Sequence, residues 1–390
     1  MNNRVAIVGV GQTKFDEHWE RSLRDLSTEA GAAALKDARI GGEMVQALFV
    51  GNMSSGRFIG QEHVAALSAD AAGLNPIPAT RCEAACASGA LAFSSACNAI
   101  KAGKYDIVVA AGAEKMTDLK GTDAIATLMG AGDQEWESAI GLTFAGLYAL
   151  IARAHMQKFG TTREQMAMVS VNNHKNGVHN PLAQFRKEIT VKDVLNSTMI
   201  ADPLTLLDCS PITDGAAAIV LVSEKVARNF SNPIWVRGIG QASDTLALHD
   251  RESMTEMKAT KAAAQSAYRE AGLGPQDMHL AEVHDCFSIN EIIAIEDLGF
   301  CKKGEGGKFV EDGNIAIGGK IPVNTTGGLK SIGHPVGATG IRQLADIVRQ
   351  LRGEIPEPIR VKNARNGIAL NIGGSGATSV VTILSKEAGT

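Results

Sequence analysis

"CASGALAFSSACNAI" at residues 86–100 has an echo in "GATGIRQLADIVRQL" at residues 337–351. Each stretch opens on small residues and runs on as a helix. Working outward, "KDARIGGEMVQALFVGN" (36–52) is echoed by "REAGLGPQDMHLAEVHD" (269–285) with one insertion, and "VAIVGVG" (5–11) by "IWVRGIG" (234–240) with both glycines in register. Each match is weak. Their shared order of strand, helix, strand and glycine-opened helix predicts two similar α/β halves. Helical spacing covers 22–38 and 257–272. The near-continuous apolar runs at 106–116 and 368–384 read as strands buried on both faces. Residues 118–208 match neither half; they hold a helical stretch at 147–160 and polar connectors such as "NNHKNGVHNP". Strand character returns at 214–227. The expected organisation is a first half of residues 1–117 plus 209–232, an inserted segment of 118–208, and a second half of 233–390.

Composition narrows the function classes. The 390 residues are 21% charged and 45% apolar with a formal net charge of -4, ordinary for a soluble globular protein of two or three units. There is no basic run, and three Tyr and three Trp give little to stack on bases, so nucleic-acid binding is not expected. An anionic substrate must be met by local groups. No apolar stretch reaches the roughly 18 residues that span a bilayer, and the first residues read as a strand rather than a signal peptide. The six cysteines at 82, 86, 97, 209, 286 and 301 form no CxxC pair, so single thiols in a reducing cytoplasm are expected, with no metal site. The GxG of "VGVGQTK" lacks the third glycine and the acidic residue of a dinucleotide site.

Four stretches carry chemistry. In "EAACASGA" (83–90), Cys86 has two readings. It is either a small buried side chain where a helix presses close, or a nucleophile in the positive end of a helix dipole, which lowers its pKa. "VHDCFSINE" (283–291) puts His284, Asp285 and Cys286 at a strand end. "GGLKSIGHPVGATG" (327–340) sets His334 in a glycine-rich loop before a helix, where little side-chain packing can hide it. "NIGGSGA" (371–377) offers bare backbone N–H groups. The duplication places Cys86 and the His334 loop before equivalent helices, whose N-termini would converge. A nucleophile, an imidazole base and a second thiol ringed by glycine N–H groups form an acyl-transfer site.

On these motifs, with "DGAAA" (214–218), the chain resembles the thiolase superfamily from end to end. The resemblance implies a thiolase fold, two pseudo-duplicated βαβαβαββ halves in a five-layered sandwich with an inserted loop domain. Thiolases mostly carry Asn-Glu-Ala-Phe where this chain has His284-Asp285-Cys286-Phe287, and a C-terminal Cys-x-Gly-Gly where it has Asn371. The "HDCF" pattern is similar to the sterol-carrier-protein and archaeal-type thiolases; "DQEWE" (133–137) and "LLDCSP" (206–211) fit the archaeal type best. The resemblance implies Cys86 as nucleophile, His334 as its base and Cys286 as the acid/base of the carbon–carbon step. It implies one oxyanion hole from the N–H groups of Cys86 and Gly373, and another from His334 and His284. The implied reaction is reversible, CoA-dependent Claisen condensation or thiolytic cleavage of a 3-ketoacyl-CoA, foremost acetoacetyl-CoA from two acetyl-CoA. The alternatives are a degradative subunit for a bulkier substrate such as benzoylsuccinyl-CoA, and a non-catalytic scaffold subunit. No cofactor is permanently bound; the coenzyme A thioester is substrate. Implied partners are a second copy, in a homodimer or dimer of dimers meeting near "PATRCEA" (78–84), a zinc-ribbon/OB-fold protein, and in archaea hydroxymethylglutaryl-CoA synthase. Arg153, Lys158 and Arg163 are spaced along helix faces, either solvated or available to such a partner.

Overall fold

A computed structural model describes residues 4–389. Its strands are β1 (Val5–Gln12), β2 (Ala47–Gly51), β3 (Ala79–Cys82), β4 (Ile107–Glu114), β5 (Met199–Ala201), β6 (Leu204–Thr205), β7 (Gly215–Ser223), β8 (Ile234–Ser243), β9 (Leu280–Glu282), β10 (Asn366–Gly373) and β11 (Thr378–Ser385). Nine of them form a mixed sheet of order β3-β2-β4-β7-β1-β8-β11-β10-β9, and β5 and β6 make a separate hairpin. The order is palindromic about the antiparallel β1–β8 contact at Ala6–Trp235 and Ile7–Ile234. On one side β3, β2 and β4 run parallel and β7 and β1 antiparallel; on the other, β9 and β10 run parallel and β11 and β8 antiparallel. The counterpart of β3 in the second half shrinks to one bridge between Ala281 and Val323. The apolar run at 368–384 is thus two strands, β10 and β11, folded back through the glycines of 373–376.

The paired glycines that open each half are packing devices. A Cβ on Gly9 or Gly11 would lie 2.3 and 2.2 Å from the carbonyl oxygens of Ala34 and Ala30 on the Leu23–Ala38 helix. In the second half a Cβ on Gly238 or Gly240 would lie 2.2 and 1.8 Å from those of Ala267 and Ala263 on the Lys258–Ala271 helix. Backbone-to-backbone contact of strand and helix requires glycine in both places.

Burial divides the molecule into five layers. Leu26, Ala30 and Ala34 cover one face of the first half-sheet. The Ser88–Lys101 and Thr339–Arg352 helices fill one core with inward residues of both half-sheets, Phe93 and Ile341 packing with Val108 and Leu384. Ala263 and Ala267, with Ile292 of the Ser288–Asp297 helix, cover the outer face of the second half. Residues 118–208 contribute no strand of the large sheet. Their Phe144–Phe159 and Arg163–Gly177 helices lay Tyr148, Ile151 and Val169 against the fully buried Ser288–Asp297 helix. No helix among the described residues is long and apolar enough to cross a membrane.

Candidate active site

The two central helices meet at their N-terminal ends. A Cβ on Gly89 would lie 2.7 Å from the Gly337 carbonyl oxygen, and one on Gly340 2.4 Å from the Ala90 nitrogen. That approach brings Cys86 beside the His334 loop. The Cys86 sulfur and one ring nitrogen each of His284 and His334 all lie within 4.8 Å of one another. The imidazoles stand edge to face, centroids 5.0 Å apart. Cys286 is buried alongside, its thiol raised by burial and by the neighbouring Cys86.

Cys86 does not occupy the first helical turn. The helix begins at Ser88, and Cys86 follows Ala85, a non-glycine residue at φ 51°. The turn is clamped by Ser88, whose hydroxyl accepts from the Ala84 N–H at 3.0 Å and donates to the Ala85 carbonyl at 2.6 Å. Nor is the thiol pKa depressed. Burial pushes it up to about 12, against the backbone N–H groups of Gly374 and Cys86, with the Glu114 and Glu83 charges adding to the rise. Desolvation outweighs the N–H dipoles, so the resting sulfur carries its proton.

Hydrogen bonding assigns complementary roles to the two imidazoles. Thr339 Oγ1 lies 3.1 Å from the Pro335 carbonyl, to which it donates, and 2.7 Å from His334 Nδ1. The hydroxyl has one proton, so Nδ1–H is the donor to Thr339 and Nε2 is left with its lone pair. His334 Nε2 is buried and has no hydrogen-bond partner among the described residues. Asn371 Nδ2 lies 3.2 Å from His284 Nδ1, while its Oδ1 packs over Gly340. The amide donates, so His284 carries its proton on Nε2. Both rings are neutral: burial, aided by Arg342 and Lys330, lowers His334 to about 3, and burial with the same cations and His334 lowers His284.

Family models match almost the whole chain, the thiolase N-terminal domain over residues 5–225 and the thiolase C-terminal domain-like model over residues 240–386. The chain belongs to the thiolase family. It is 56% identical to the acetyl-CoA acetyltransferase of Methanothermobacter thermautotrophicus over 98% of this chain and 99% of that one. It is 37% identical to the benzoylsuccinyl-CoA thiolase subunit BbsB of Thauera aromatica over 91% of each chain. A solved Ltp2-ChsH2(DUF35) aldolase superposes with a TM-score of 0.83 at 28% identity, covering 97% of both chains.

In this thiolase the departures from the common family pattern sit together. Asn371, which the resemblance sets where a cysteine is expected, orients His284, and Asn290 Nδ2 donates to the His284 carbonyl and lies 4.0 Å from the Cys286 sulfur. The "HDCF" and "GGLKSIGHP" stretches are tied by Asp285, whose carboxylate accepts the N–H groups of Leu329 at 2.7 Å and Lys330 at 3.2 Å. "LLDCSP" supports the same turn, Asp208 accepting from Ser288 at 2.6 Å and Ser210 N–H donating to the Cys286 carbonyl at 2.8 Å.

Sequence reasoning missed three contributors. Tyr148, in the segment without assignment, donates to the Gly374 carbonyl at 3.2 Å and stacks on Phe287, the residue after Cys286, with ring centroids 4.6 Å apart. Glu114, a carboxylate closing an apolar strand, is raised by burial to about 7 and accepts the N–H groups of Met53 and Gly337 at 2.8 and 3.1 Å. The Gly374 N–H bears on the Cys86 sulfur and favours its charged form. A charged residue ending a buried strand was the one legible signal among these. Arg153 pairs with Asp202, Lys158 lies over the Phe159 ring and Arg163 donates to the Leu195 carbonyl, so all three have partners within the chain.

Proposed function

We propose that this thiolase condenses two acetyl-CoA to acetoacetyl-CoA and runs the reverse thiolysis. The convergence of Cys86, a bare His334 Nε2 and a His284 Nε2–H carries the reading. Cys86 attacks the thioester carbonyl as its proton passes to His334 Nε2, and the N–H groups of Cys86 and Gly373 hold the oxyanion. The departing CoA thiolate takes the Cys286 proton. The Cys286 thiolate then removes an α-proton from the second acetyl-CoA, whose enolate oxygen meets the N–H of His284 and of the now protonated His334. Attack on the acyl-enzyme and collapse return the proton from His334 to Cys86, so every proton is accounted for. No metal or prosthetic group enters these steps.

Acetyl-CoA is favoured by the 56% identity to an archaeal acetyl-CoA acetyltransferase. A second reading, cleavage of a bulkier 3-ketoacyl-CoA with an OB-fold partner, is favoured by the likeness to BbsB and to the aldolase complex. The second copy in a homodimer or dimer of dimers would add to the outer edge of β3. A hydroxymethylglutaryl-CoA synthase partner rests on the archaeal resemblance alone. All six cysteines are free thiols, which supports a reducing cytoplasm. The test is turnover of a ketoacyl-CoA panel with free CoA, run beside two variants. Cys86→Ala should form no acyl-enzyme. Cys286→Ser should be acylated yet lose α-hydrogen exchange of acetyl-CoA; exchange at the wild-type rate would place the acid/base elsewhere.

A further inference from the structure

The sequence expectation of no metal site came from cysteine spacing, but the fold gathers one sulfur and two ring nitrogens from three separate segments. We propose that Cys86, His284 and His334 form a Zn2+-capture site that takes the nucleophile out of use. One sulfur and two imidazoles are a zinc donor set, and three protein ligands leave a fourth position for water. The donor atoms lie within 4.8 Å of one another. Tetrahedral Zn2+ at its usual bond lengths needs them about 3.3–3.6 Å apart, so small side-chain rotations close the site.

Independent features point into the cluster. His334 is 7% exposed, and its Nε2 is buried without a partner among the described residues. Its ring is held through Nδ1 by Thr339, the outer hydrogen bond that orients a zinc-binding imidazole. His284 is oriented by Asn371. Binding through His284 Nε2 moves its proton to Nδ1, and Asn371 must turn its amide so that Oδ1 accepts. Asn371 Oδ1 has no partner among the described residues, so the turn breaks no hydrogen bond of that oxygen there. The Cys86 thiol proton leaves to solvent as the sulfur–zinc bond forms. The carboxylates of Glu114 and Glu83 bear on the sulfur and favour a cation there, while Arg342 and Lys330 oppose it from the histidine side. Cys286 lies outside the three-donor set.

The consequence for activity rests on the thiolase reading: a sulfur bound to zinc cannot be acylated. The site itself is tested without turnover. Co2+ is titrated into the metal-stripped full-length chain and followed by absorption, then Zn2+ is added. One equivalent of Co2+ should give a thiolate-to-cobalt charge-transfer band and tetrahedral d–d bands, which Zn2+ abolishes. Cys86→Ser should remove the charge-transfer band, Cys286→Ser should keep it, and Thr339→Val should weaken the affinity by about 10–100-fold. Prior acetylation of Cys86 by acetyl-CoA should block the band. No band, a band that survives Cys86→Ser, or one that requires Cys286 overturns the site. If the band is absent while the chain still cleaves acetoacetyl-CoA, the metal site fails and the thiolase reading stands; a band without turnover gives the converse.

Discussion

A thiol and an imidazole in contact need not form an ion pair. Burial raises Cys86 to about 12 and lowers His334 to about 3, so both groups are neutral across the range between. Nucleophile and base are therefore armed by approach of substrate rather than by prior ionisation. Acyl-enzyme formation from acetyl-CoA, followed by quenched-flow mass spectrometry, should be flat from about pH 6 to about pH 9 because neither group titrates there. Iodoacetamide reacts with the thiolate, so alkylation of Cys86 should rise by about tenfold per pH unit over the same range. An alkylation plateau with an apparent pKa near neutrality would mean a preformed thiolate–imidazolium pair. Cys86 itself was legible in the sequence from its small neighbours. Its ionisation was not, because the desolvating residues come from distant segments.

Among the elements, glycine position separates a helix crossing from helix surface with open space beside it. Gly340 sits where the two central helices touch, and a Cβ there would lie 2.2 Å from Asn371 Oδ1 and 2.4 Å from the Ala90 nitrogen. A Cβ on Gly31, on the Leu23–Ala38 helix, would meet no atom of the described residues outside its own helix turn within 4 Å. Gly340→Ala should destabilise by about 1–3 kcal/mol or more through overpacking. Gly31→Ala should stabilise by roughly 0.5–1 kcal/mol through helix propensity. Urea denaturation of both variants checks the pair, and equal midpoints would mean that the crossing relaxes without cost. The repeat was readable at this scale. Residues 22–38 and 257–272 fold as helices over 23–38 and 258–271, and each half opens with a strand whose glycines meet its helix. The apolar run at 368–384 hid a hairpin, since two strands buried on both faces have no polar alternation to mark their division.

At the scale of the molecule, the large sheet ends unequally. β9 is bridged by Val323, whereas β3 forms the opposite edge, with Thr80 exposed and Ala79 and Arg81 half-buried. An open edge pairs readily with another strand, and a second copy related by a twofold axis would cover it. Light scattering should therefore give two or four times the 40.9 kDa chain mass. A monomer at assay concentration would remove β3 as the assembly edge.

The sequence by itself determined the duplication, the α/β class, the family and the separate candidates Cys86, Cys286, His284 and His334. These are properties of local pattern: apolar period, glycine position and residue type within short motifs. Tertiary structure alone decided what those residues do to one another. Thr339 and Asn371 select opposite tautomers on the two imidazoles, Tyr148 arrives from the inserted segment, and Asp285 locks one loop to the next. A tautomer depends on which atom faces a ring nitrogen, and a buried pKa on which charges share the same dry space. Both are set by residues far apart in the chain, where local pattern has no reach.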